Sequence, residues 1–273
     1  MVEVALLVVL GFVVGGFGTL VGAGGGFLLV PILLFVYPEL PPESVTAMSL
    51  FVVMGNAMSG TVAYAHQRRI DVRSGLLFAL ATLPGAVAGA YVVRFISRAA
   101  FDVIFAAVLG TVGLYLVFHR TSTAIRAPIT GRVLARRRIT DRAGNTFAYA
   151  FRMRQGIAIS AVVGFVSSLL GIGGGVVHVP MMVVVLHFPV HIATATSQFV
   201  LGLMAAEGTA VHVLTGTLAW NETFGRAGAI MVGAVAGAQL GARLAHRLHG
   251  DYIVRALGVA LVLVALRLAL SQL

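Results

Sequence analysis

From Val4 to Val36 the chain runs for 33 residues without a charge, and four glycines, Gly22, Gly24, Gly25 and Gly26, crowd into five positions of that run. An unbroken helix of this length would reach about 50 Å at 1.5 Å per residue, well past the roughly 30 Å of a bilayer's hydrocarbon. The segment therefore breaks, and the glycines mark where. A second such segment, 156–188, carries Gly171, Gly173, Gly174 and Gly175. Freed backbone groups are tolerated at membrane depth only where protein or a watery cavity satisfies them. Both breaks are thus expected to line a permeation site.

The remaining composition agrees. With 59% apolar and only 10% charged residues, the chain has too little charge to clothe a water-soluble globule. It reads as an all-α polytopic membrane protein of about 8–10 helices, with ordinary spans near 44–65, 75–97, 99–118, 192–214, 224–245 and 252–270. The opening run is longer than a signal-peptide core and shows no cleavage pattern, so it reads as a retained span. Cysteine is absent, which removes disulfides, thiolate catalysis and thiolate metal ligands. All nineteen basic residues are arginines, and nine of them (Arg120, Arg126, Arg132, Arg136, Arg137, Arg138, Arg142, Arg152, Arg154) fall between two membrane segments. No aromatic interleaving or recognisable module accompanies them, so no nucleic-acid partner is expected. A cytoplasmic loop facing anionic membrane lipid is the expected reading.

The chain also resembles itself. VGAGGGFLLVPILLF (Val21–Phe35) aligns without a gap on LGIGGGVVHVPMMVV (Leu170–Val184), VTAMSLFV (Val45–Val52) on ATATSQFV (Ala193–Val200), and Gly60-Thr61 on Gly208-Thr209. Two homologous transmembrane repeats, 1–119 and 154–273, joined by an Arg-rich cytoplasmic linker, 120–153, account for this order. Repeat direction depends on whether each half crosses the membrane an odd or even number of times, and the arginine balance favours the inverted arrangement by one residue. The hexapeptide GAVAGA occurs at 85–90 and again at 233–238. Its small-xxx-small spacing, Gly85 with Gly89 and Gly233 with Gly237, predicts helix-packing seams.

Chemistry is expected at the glycine breaks. A helix starting there leaves N–H groups unpaired and adds partial positive charge, an anion site without a cationic side chain. Gly22, Gly24, Gly25 and Gly26 with Thr19 would form one cradle. Gly171, Gly173, Gly174 and Gly175 with Ser168 would form the other. Packing of tightly crossing helices is the competing role for these glycines. A dinucleotide fingerprint fails, because Phe27 and Val176 stand where the last glycine should be. Polar residues inside apolar spans are costly and usually functional, which adds Ser49, Asn56, Ser197 and Gln198 to the substrate-binding set. Glu207 is the acid deep within a predicted span and is a proton-coupling candidate, with His178 or His212 as partner. His187 and His191 are interrupted by Pro189, so no metal site is expected, and no cofactor or catalytic constellation is suggested.

The doubled pattern GAGGGFLLVP and GIGGGVVHVP, each followed by T-A-x-S-x-F, resembles the TauE/SafE family of membrane permeases, the sulfite exporters. The likeness covers both halves and leaves out the Arg-rich linker. It implies a secondary transporter of a small sulfur-containing anion (sulfite, sulfoacetate or a related organosulfonate) in the bacterial cytoplasmic membrane. The family's glycine motif falls on Gly22, Gly24–Gly26 and Pro31, and on Gly171, Gly173–Gly175 and Pro180. The resemblance implies the anionic substrate as partner; the arginine loop adds membrane lipid and Glu207 a coupling proton, with a homo-oligomer left open. A channel-like facilitator, a transporter of another small anion, and a non-transporting receptor or assembly subunit are the alternatives.

Overall fold

The computed structural model describes residues 2–118, 134–220 and 222–270. Arg120, Arg126 and Arg132 of the arginine cluster lie outside them. Ten α-helices are present among the described residues: α1 (Val2–Val21), α2 (Gly26–Val36), α3 (Pro42–His66), α4 (Val72–Val92), α5 (Arg98–Phe118), α6 (Met153–Leu170), α7 (Gly175–Pro180), α8 (Val190–Leu214), α9 (Glu222–Arg247) and α10 (Gly250–Leu270). A π-helical turn, Met181–Val185, prolongs α7. Seven of the described helices are long and apolar enough to cross a membrane. Their outward faces are apolar as well, with Leu6, Val13, Leu80, Val103 and Val232 all exposed, as is Leu263 of α10. Water would not tolerate such a surface, whereas lipid does.

The glycine breaks turn the chain back instead of kinking it onward. Gly22, Gly24 and Gly25 all have positive φ (76°, 73° and 84°), a backbone that residues with a Cβ avoid. Through this turn α2 returns along α1: Phe17 meets Phe27 near the tip, and Tyr37 donates to Glu3 at the open end. The second half repeats the device. Gly171, Gly173 and Gly174 have φ of 68°, 75° and 83°, Ser160 bonds His178, and Gly156 lies against Leu186. Each break is therefore the tip of a re-entrant hairpin.

Helix directions follow from the contacts. Gly11, Gly15 and Gly16 of α1 meet Ile230, Ala234 and Gly237 of α9 in rising order, so these helices are parallel. Helix α3 is parallel to α9, with Gly55 on Met231, Ser59 on Val235 and Gln67 on Ala242. Helices α4 and α6 are parallel through Thr82 with Gly164 and Gly89 with Phe165, and α4 runs with α8 through Gly75 and Phe199. Helices α3 and α8 are antiparallel: Leu50 faces Gly208 and Gly60 faces Gln198. Corresponding helices of the two halves thus run in opposite senses. One bundle holds α1, α3 and α9, the other α4, α6 and α8, and each mixes both halves. Both GAVAGA stretches are seams in these bundles, on α6 for Gly85 and Gly89 and on α1 for Gly233 and Gly237.

One part of the 120–153 segment is not helical. Strands β1 (Leu134–Thr140) and β2 (Thr146–Arg152) pair antiparallel in register Leu134↔Arg152 to Thr140↔Thr146. The period-2 run TFAYAF, whose Tyr149 and Phe151 are buried, and the turn Asp141–Asn145 with Gly144 at φ 87° explain why. Asp141 accepts from the backbone N–H of Ala143 (3.0 Å) and Asn145 (2.9 Å), closing the turn.

Candidate functional site

The two glycine tips meet between α3 and α8. A Cβ on Gly26 would lie 2.6 Å from Gly171 O, and one on Gly175 would overlap Gly22 O and Ala23. Gly22 faces Thr194 and Gly171 faces Thr46, while Gly24 and Gly173 share Val53 and Leu201 as neighbours. In this conformation Gly26 and Gly175 abut the opposite tip, and the other glycines are covered by α1, α3, α6 and α8. Close packing, the competing role, is met at each of these positions. Gly25 illustrates the constraint: its φ of 84° and its 2.7 Å approach to Val14 O make any Cβ strained on two counts.

Side chains around the crossing form two clusters at corresponding places of the halves. In the first, Gln198 Nε2 donates to Thr19 Oγ1 (2.9 Å), Thr19 Oγ1 to Asn56 Oδ1 (3.1 Å), and Asn56 Nδ2 to Gly24 O (3.1 Å). Tyr64 O–H completes it on Thr19 O (2.8 Å). The predicted residues Thr19, Asn56 and Gln198 are thus brought together, and they bond to one another. Ser49 and Ser197 behave alike across the halves: Ser49 donates to Gly171 O (2.6 Å) and Ser197 to Gly22 O (3.1 Å). These bonds tie α3 and α8 to the opposite tip.

The second cluster is different. Ser168 Oγ lies where a Cβ on Gly208 would approach to 2.9 Å, as Thr19 lies against Gly60, yet Ser168 Oγ is buried with no hydrogen-bond partner among the described residues. Both ring nitrogens of fully buried His212 are likewise unpartnered. So are the hydroxyls of Thr46, Thr194 and Ser167, which the sequence reading did not place in the site. Thr46 and Thr194 were legible as matched positions of the aligned T-A-x-S-x-F runs.

The expected pairing of Glu207 with His178 or His212 is not formed. His178 bonds Ser160 (3.1 Å) on α6, and Glu207 Oε2 is buried without a partner. Helix geometry explains the separation from His212: five residues along α8 turn the side chain about 140° away.

A polar network that the sequence reading missed anchors the β-hairpin. Asp71, the N-cap of α4, accepts from Ser74 N–H and from Tyr149 O–H (2.9 Å) and pairs with Arg137 (3.3 Å). Asp141 pairs with buried Arg69 at 2.7 Å. Burial alone would raise the Asp141 carboxyl; hydrogen bonds from Arg69 and Asn145, with the Arg69 charge, outweigh it and hold the acid at about 2. Burial, reinforced by Asp71, pushes the Tyr149 phenol above its ordinary value. Phe151 and Tyr149 also pack with tilted rings on Phe188, which follows the second re-entrant hairpin.

Residues 7–268, nearly the whole chain, match the family described as sulfite exporter TauE/SafE. The chain belongs to this family. Its TauE/SafE relatives include the probable membrane transporter protein YunE of Bacillus subtilis, 33% identical over 96% of each chain. Another is the probable membrane transporter protein MJ0441 of Methanocaldococcus jannaschii, 30% identical over 78% of this chain and 73% of its own. A probable membrane transporter protein of Xylella fastidiosa is 26% identical over 94% and 89%. No solved structure gives a significant match. The protein is thus a multi-pass member of a membrane transporter family, and not an enzyme.

Proposed function

We propose that this protein is a secondary transporter that moves a small sulfur-containing anion, such as sulfite or an organosulfonate, across the bacterial cytoplasmic membrane. The observation that carries the reading is the meeting of two re-entrant hairpins, open toward opposite ends of the helix bundle, at a buried crossing lined by hydroxyl, amide and imidazole groups. Irregular backbone at that depth is the recurring architecture of central binding sites in secondary transporters. The family description supports the sulfur-containing anion. The arginine-bearing β-hairpin end faces the cytoplasm by the charge rule.

Because α1 is seamed to α9 and α4 to α6, neither half can swing as a unit. Alternating access then comes from the α1–α3–α9 bundle tilting against the α4–α6–α8 bundle across the α3–α8 interface, where the polar clusters lie. Such tilting would separate the glycine tips on one side at a time. The test is uptake of radiolabelled sulfite into liposomes holding the purified protein, against acetate and phosphate, with and without a pH gradient. Saturable, sulfite-selective flux is expected. Folded protein that moves sulfite no faster than empty liposomes would refute the reading.

A further inference from the structure

The two halves place the same framework around the crossing but fill it differently. Thr19 corresponds to Ser168, Gly60 to Gly208 and Tyr64 to His212, whereas Asn56 is replaced by Met204 and Gln198 by Leu50. The contacts keep this correspondence. Gly60 faces Gln198 and Thr19, and Gly208 faces Leu50 and Ser168. In the first cluster the amides of Gln198 and Asn56 satisfy Thr19, and the long Tyr64 reaches Thr19 O. In the second, Leu50 and Met204 offer no donor or acceptor of that kind, and His212, one turn beyond Gly208 on the same face, is shorter than tyrosine. Ser168 Oγ, His212 Nδ1 and His212 Nε2 are left unpartnered at complete burial.

Groups in that condition each cost about 1–3 kcal/mol unless a ligand bonds them. They present a hydroxyl and one imidazole N–H as donors between apolar walls, the second ring nitrogen of a neutral imidazole being an acceptor. Glu207 points to another face of α8. Hydroxyl and imidazole N–H donors in an apolar surround fit an anion with several acceptor oxygens.

We propose that the transported oxyanion binds at the second cluster alone, held by Ser168 and His212 against Leu50 and Met204, and that the first cluster is a fixed brace. This rests on the reading of the chain as an anion transporter and names the half that holds the substrate.

The experiment compares wild type, Ser168→Ala, His212→Phe and the double variant Leu50→Gln with Met204→Asn, which would rebuild the brace of the first half. Each is purified in detergent, and thermal unfolding and calorimetric titration are run with sulfite, thiosulfate, sulfate and acetate at matched ionic strength. Removing an unpartnered buried group does not destabilise the anion-free protein, so Ser168→Ala and His212→Phe should melt at or above wild type without anion. Sulfite affinity should fall about tenfold or more in each, as loss of one hydrogen bond to a charged ligand implies. Variants that bind sulfite within about threefold of wild type, or Ser168→Ala and His212→Phe proteins that melt lower before any anion is added, overturn the proposal while leaving the transporter reading intact. Binding of none of the four anions by folded wild type overturns both.

Discussion

The α1–α9 seam allows an internally controlled test, because one helix carries glycines in both kinds of place. A Cβ on Gly233 would overlap Val8 O and stand 2.8 Å from Phe12 N, both backbone atoms that no rotamer change can move. Ordinary Cβ contacts begin near 3.4 Å, so the Phe12 N contact alone asks α1 and α9 to separate by about 0.6 Å for Gly233→Ala, and the closer Val8 O asks for more. Overpacking of this kind costs about 1–3 kcal/mol. Gly228, on the same helix, meets nothing within 4 Å. Gly228→Ala should therefore show only the gain in helix propensity, up to about 1 kcal/mol. That propensity gain is common to both variants and cancels in their difference. The two should accordingly differ by about 1–3 kcal/mol, with Gly233→Ala the less stable. Thermal unfolding of each in detergent, followed by loss of the monodisperse chromatographic peak, reads the difference. Equal melting of the two would show that the seam is not held by backbone approach.

Two other outcomes can be checked directly. Asn56→Leu leaves both Thr19 Oγ1 and Gly24 O without the bonds Asn56 now makes, so it should destabilise the protein by about 2–4 kcal/mol, a drop visible in the same melting assay. The Asp141 carboxyl, held at about 2 against an ordinary value of 3.8, stabilises hairpin docking fully above about pH 4 and loses that contribution as pH falls toward 2. The stake is at most about 2 kcal/mol. Hydrogen exchange across Leu134–Arg152 should rise in that window, and Asp141→Asn should show the raised exchange at pH 7.

Much of the helical framework was legible because lipid imposes a simple rule, and six ordinary spans fall within a few residues of α3, α4, α5, α8, α9 and α10. The glycine breaks were legible for a related reason: 33 uncharged residues cannot be one helix in a bilayer. The return of the chain was not, since positive φ at Gly22, Gly24 and Gly25 permits a turn without dictating its angle. Arginine weight hid the β-hairpin, although TFAYAF alternates and DRAGN is a good turn. Thr19, Asn56 and Gln198 were legible as buried polar residues. That their bonds close on one another depends on which helices meet, and composition is silent on that.

The pairing of helices between halves is the least legible feature and the most consequential. Sequence duplication suggests two units that pack as units, yet Gly11, Gly15 and Gly16 of the first half are seamed to α9 of the second, and Gly85 and Gly89 to α6. In lipid no hydrophobic force selects a partner, so the helix whose backbone can come closest wins, and small residues decide. The two bundles that result share few polar ties apart from those along α3 and α8. Ser49 on Gly171 O and Ser197 on Gly22 O are such ties, one from each bundle to the opposite tip. Both are single hydroxyl bonds, each worth about 1 kcal/mol net. Across that contact Leu50, Val53 and Ala57 also pack on Leu201, Met204 and Ala205, so the bundles move against each other by sliding along α3 and α8, while the glycine seams inside each bundle, where backbone meets backbone, stay closed.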